Sequence, residues 1–155
     1  MSPSIPNTFG TKVCFFFQDV KFSLTCRSIL KKFLLTIFKK EGKKLQCLNY
    51  IFCSDGALLE INRKYLNHDF YTDIITFDLS ETRAVRAEIY ISIDRVRENS
   101  RKLGVSFKSE LHRVIFHGVL HLCGYNDKPK GEKEKMSKRE DFYLKKYNLG
   151  LSSSA

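Results

Sequence analysis

Residues 107–127 read Phe107-Lys-Ser-Glu-Leu-His-Arg-Val-Ile-Phe-His117-Gly-Val-Leu-His121-Leu-Cys-Gly124-Tyr-Asn-Asp127. Leu111, Val114, Ile115, Val119 and Leu122 recur at three and four, the period of one helix face, so Phe107 to Cys123 is expected to be a long helix that Gly124 stops. Working upstream, Glu88 to Ile93 alternates like a strand, and Asp94 is placed to cap a helix reaching about Leu103, where Gly104 ends it. Asp73 to Phe77 is rich in β-branched and aromatic residues and reads as a strand, with the polar Glu81 to Arg86 as a loop. Ser54-Asp55-Gly56 is a turn and N-cap before a helix over Ala57 to Tyr65. Leu45 to Cys53 and Val13 to Phe17 read as strands, and Leu24 to Lys40 as a helix before Gly42. Downstream, the charged stretch Lys128 to Lys138 leads into an amphipathic helix carrying Met136, Tyr143 and Tyr147.

Strands and helices thus mix along the chain. The expected fold is α/β (α+β), one domain over residues 1–155 with a small mixed four-stranded sheet and about five helices. Residues 1–11 and 150–155 are expected to be frayed tails. The 155 residues are 43% hydrophobic, enough for a core, and 28% charged, which excludes a disordered chain. No membrane span is expected: the run Leu45 to Ser54 is half the roughly 20 residues required and contains Gln46 and Asn49. Met1 to Thr11, with Pro3, Pro6 and Gly10 and no apolar run, does not read as a secretory signal. Five cysteines without a Cys-x-x-Cys pair point to free thiols and a cytoplasmic location.

The net charge of +10 is uneven. Residues 1–50 carry 9 basic and 2 acidic side chains, residues 51–100 carry 6 and 9, and residues 101–155 carry 12 and 6. Such a balance suits a polyanion partner, or only solubility.

Two histidines four apart on a helix lie about 40° apart around its axis, one turn above each other. His117 and His121 can therefore reach one ion. The turn that Gly124 permits can bring Asp127 to the same ion, leaving a fourth tetrahedral position open, the layout of a catalytic zinc site. The spacing is that of the metzincin peptidases, with aspartate in the final place. The glutamate that follows their first histidine as general base is Gly118 here, which argues against peptide hydrolysis by their route.

His-Gly-x-Leu-His-Leu-x-Gly-Tyr, with Ile61-Asn62, Tyr65, Thr72 to Phe77 and Glu88 to Ser92, resembles the signature blocks of the YbeY endoribonucleases, the bacterial rRNA maturation factors. The resemblance covers roughly residues 45–147. It implies a metalloprotease-like metal helix and one zinc ion on His117, His121 and Asp127. It further implies a single-strand-specific, metal-dependent endoribonuclease acting late in ribosome biogenesis on the 3′ end of 16S rRNA. The implied partners are ribosomal RNA and the ribosomal subunit, with no membrane and no nucleotide cofactor. The alternative is a non-catalytic zinc-containing ribosome-assembly factor that binds rRNA. The family's third ligand is commonly histidine where Asp127 stands, the aspartate before it is Asn126, and the arginine after the tyrosine is Leu66. Leucine holds no phosphate, so Arg63, Lys64 or Lys128 are the candidate phosphate contacts, and the general base is unassigned.

Other residues have plainer readings. His68 reads as a solvated turn residue rather than a ligand, His112 lies round the helix from His117, and Cys123 reads as buried filler rather than a fourth ligand. Asp73 either accepts a hydrogen bond from a ligand histidine or caps a strand end. The lysines at 128, 130, 133, 135 and 138 either follow an RNA backbone or form a solvated face.

Overall fold

The computed structural model describes residues 12–153. The expected tail 1–11 and residues 154 and 155 lie outside them. The elements run β1 (Val13–Gln18), α1 (Arg27–Lys40), β2 (Leu45–Cys53), α2 (Asp55–Leu66), β3 (Ile74–Asp78), β4 (Val85–Ser92), α3 (Ile93–Leu103), α4 (Phe107–Leu122) and α5 (Lys130–Ser153). The sheet has four strands in the order β1-β2-β4-β3. β1, β2 and β4 are parallel, and the edge strand β3 is antiparallel to β4, which makes the sheet mixed.

Alternation along the central strands divides the core in two. Leu48, Tyr50 and Phe52 of β2 and Ala87, Ile89 and Ile91 of β4 pack with α1, α4 and α5. Ile51, Cys53 and Tyr90 point the other way, under Leu58 of α2. A period of two puts each set on one face of the pleat, and helices on both faces explain why β4 is apolar almost throughout. The fold class is as expected from the sequence.

Several boundaries differ from the expected ones; helix α1, for one, starts at Arg27 rather than Leu24. β4 starts at Val85, inside the expected loop Glu81 to Arg86, because the Val85 amide donates to the Lys44 carbonyl at 2.7 Å beside β2. Helix α3 is capped by Ser92, whose hydroxyl accepts from the Arg95 amide at 3.1 Å, whereas Asp94 accepts from the Asp55 amide at 2.9 Å. Helix α5 runs past Gly150 to Ser153, beyond the expected start of the tail.

Helix α4 lies at the centre. The Tyr50 hydroxyl donates to its Ile115 carbonyl at 2.8 Å, fixing the helix over β2. Gly118 makes the closest approach: a Cβ there would stand 2.8 Å from Ile89 Cδ1 and 3.1 Å from Ile74 Cδ1. The absent side chain lets α4, and the two histidines beside it, sit directly against β3 and β4.

His112 is buried in the core of the same helix, its ring 4.8 Å from that of Tyr147 and 6.1 Å from that of Phe116. Burial, then Lys108, pulls its pKa down from the ordinary 6.5 to about 4. The unfolded chain therefore binds more protons than the folded one between those values, and stability falls as pH drops from about 6.5 to about 4. The expected loss is on the order of 3 kcal/mol across that window. Urea unfolding of the parent and of His112→Phe at a series of pH values checks it, because the variant should lack this component.

Candidate metal centre

His117 and His121 project from adjacent turns of α4, their ring centroids 4.6 Å apart. Beyond Leu122 the helix closes through paired bonds, Gly124 N–H to the His121 carbonyl and Tyr125 N–H to the Leu120 carbonyl, each at 3.0 Å. Gly124 has φ 103°, a left-handed conformation that suits glycine and reverses the chain. Asp127 then returns over the histidines. Its Oδ2 lies 3.7 Å from His117 Nε2 and 3.5 Å from His121 Nε2.

These spacings suit a shared metal ion. They are long for hydrogen bonds. Tetrahedral bonds of about 2.0–2.2 Å place neighbouring donor atoms about 3.3–3.6 Å apart, close to what is found. One donor atom from each residue lies within 4.8 Å of the others. Two imidazoles and a carboxylate suit a divalent ion, zinc among others. Burial, then the proximity of His117, lowers the His121 pKa, which favours the neutral ring that a metal requires.

His117 is held from behind by a residue the sequence reading missed. Its Nδ1 donates to Glu140 Oε2 of α5 at 2.6 Å, which turns Nε2 toward Asp127. Glu140 is buried, and its Oε1 accepts from Arg113 at 3.0 Å. Arg113 in turn grips the buried Glu110 through two bonds of 2.5 and 2.7 Å. Glu110 and Glu140 thus both meet a charged partner, as burial demands. The sequence did hold a signal. Met136, Glu140, Tyr143 and Tyr147 share one helical stripe, and a carboxylate inside an apolar stripe calls for a buried partner.

The hydrogen bonds of Asp73 go elsewhere than to the histidines. Standing just before β3, it accepts from Asn99 through its carboxylate at 3.3 Å and from the Ser92 amide through its carbonyl at 2.9 Å. Burial pushes its carboxyl pKa up against the pull of Arg113 and His117. Cys123 stays outside the donor group, and burial raises its thiol pKa to about 12. No disulfide joins any two of the five cysteines.

A cleft of about 700 Å³ opens over the three donors, walled by β3, Asp73, Arg113 and the loop after α2. Leu66 and His68 line it. A second groove of about 910 Å³ shares His117, Asp127 and Arg113 with it and is edged by Lys128, Lys130, Lys133 and Lys138. Arg63 is paired with Asp69 and Lys64 lies over the Tyr65 ring, and neither lines these hollows.

The family model described as Endoribonuclease YbeY matches residues 16–148. The chain is 50% identical over 133 residues to the Endoribonuclease YbeY of Cytophaga hutchinsonii, covering 85% of this chain and 93% of that one. It is 47% identical over 129 residues to the Endoribonuclease YbeY of Karelsulcia muelleri, covering 83% and 92%. A Thermotoga maritima protein known from its solution structure superposes with a TM-score of 0.61 at 27% identity, covering 90% of this chain and 93% of that one.

Proposed function

Because the chain belongs to the YbeY endoribonuclease family, we propose that it is a metal-dependent endoribonuclease that cuts single-stranded ribosomal RNA, maturing the 3′ end of 16S rRNA late in ribosome biogenesis. The observation that carries this reading is the His117, His121 and Asp127 group on the floor of a cleft broad enough for a nucleotide. The ion is one zinc. When bound it supplies a Lewis acid for a phosphoryl oxygen and makes water a stronger acid.

The chain's own residues do the rest. His117 and His121 present ring nitrogens, Glu140 fixes the direction of the His117 ring, and Asp127 closes the third side. Lys128 and the lysines of the adjoining groove hold flanking phosphates, the part that the cation-free Leu66 does not fill. Five cysteines with no disulfide among them support a cytoplasmic setting. No helix among the described residues is long and apolar enough to cross a membrane.

Zinc titration of the parent, Asp127→Ala and Asp127→His tests the ligand set. Asp127→Ala should lose more affinity than the roughly 10–100-fold that removal of an outer partner costs. Asp127→His should bind zinc at least as tightly as the parent. Equal binding by Asp127→Ala removes Asp127 from the set. Turnover by the zinc-loaded parent on single-stranded but not duplex RNA, absent from Asp127→Ala, separates the nuclease from an assembly factor that only binds RNA.

A further inference from the structure

One wall of the cleft carries flat apolar side chains where a phosphate-binding cation would be useful. Leu66, Phe70 and Tyr71 are 39%, 56% and 53% exposed, a run of large apolar groups held in water. Leu66 and Phe70 line the same cleft as His117, His121 and Asp127. The Phe70 ring stacks on His68, centroids 5.0 Å apart and planes 22° from parallel.

The loop that carries this pair is pinned. The carbonyl of buried Asn62 accepts from the His68 amide at 3.1 Å, and its side-chain amide donates to the Phe70 carbonyl at 2.8 Å. Asn67 turns the chain between them with a left-handed φ of 57°. One buried residue, through its main-chain carbonyl and its side-chain amide, thus holds the backbone at both rungs of an exposed aromatic stack. Scattered surface apolar residues are ordinary. A braced aromatic pair facing a metal-capable cluster has a shape that a ligand can use. Nearby Tyr71 is already engaged, with the Arg95 guanidinium 4.9 Å from its ring centre, which leaves Phe70 as the receiving face.

We infer that Phe70, backed by His68, is a seat for one unpaired nucleobase of the RNA strand that enters the metal cleft. This rests on the reading of the cleft as an RNA site. Every base offers a π-face, so the contact is tolerant of sequence, but a base must be unstacked to use it. The seat therefore selects single strands by a contact of its own. It grips a base on the wall where Leu66 cannot grip a phosphate.

The test is binding to the metal-free protein, so that cleavage plays no part. The probes are a short single-stranded oligouridylate and a strand of the same length with abasic central positions, which keeps the phosphates and deletes the bases. Phe70→Ala should weaken oligouridylate binding about tenfold and leave abasic binding unchanged. Its thermal unfolding should match the parent, since the ring is exposed. The chain has no tryptophan, so Phe70→Trp sets a single reporter in the wall. That variant should bind oligouridylate as tightly as the parent, with emission quenched by oligouridylate and not by the abasic strand. If Phe70→Ala binds both strands as the parent does, the base seat is wrong while the RNA cleft stands. If the parent binds neither strand, the RNA reading of the cleft fails, and the seat with it.

Discussion

Glu140→Ala is expected to lower metal affinity about 10–100-fold and to destabilise the metal-free fold by about 3 kcal/mol. The carboxylate holds His117 Nδ1 at 2.6 Å and Arg113 at 3.0 Å, both from within the α4–α5 interface. Removing it frees the His117 ring to rotate and to change tautomer, so Nε2 no longer waits in place for the ion. It also strips Arg113 of one of two anionic partners. Loss of a buried partner usually costs about 3–5 kcal/mol, and the low end applies because Glu110 still holds Arg113 through two bonds. Glu140→Gln should recover part of the stability through its shape. Its metal affinity should stay reduced, because a neutral amide no longer polarises the imidazole. Urea unfolding without metal and zinc titration read the two effects separately. Unchanged zinc affinity in both variants would remove Glu140 from the support of the site.

Gly118→Glu is expected to cost more than about 4 kcal/mol, a large part of the roughly 5–15 kcal/mol that holds a domain together. It restores the glutamate that follows the first histidine in metzincins, so a motif-based design would try it for peptidase activity. The packing forbids it. A Cβ alone would meet Ile89 Cδ1 at 2.8 Å, and the carboxylate beyond would be forced between α4 and the sheet without a partner. The variant should be unfolded or insoluble and should show no peptidase activity. Gly118→Ala should cost only about 1 kcal/mol, because the nearest atoms end flexible isoleucine side chains and alanine gains about as much in helix propensity. Circular dichroism and urea titration distinguish these outcomes. A Gly118→Glu protein as stable as the parent would refute the close approach.

Read alone, the sequence determined what depends on local periodicity. The 3.6-residue stripe of Leu111 to Leu122 and the two-residue alternation of Glu88 to Ile93 mark α4 and β4, because each pattern is carried by neighbours in the chain. The spacing of His117 and His121 is local for the same reason, and so is the turn at Gly124. The boundary at Val85 was not legible, since its strand pairing comes from Lys44 and Leu45, about forty residues away. Gly118 read as a missing catalytic residue, and only the sheet beneath it shows why a side chain does not fit. Asp73 was the support for a histidine that the sequence suggested, and Glu140 was not legible as one. Tertiary packing chose between them: Glu140 is 23 positions from His117 along the chain and 2.6 Å away in space. Hydrogen bonds and close packing fall off within an ångström or two, so the partners of a buried group are fixed by which helices meet. That meeting belongs to the whole fold, beyond the reach of any one segment's pattern.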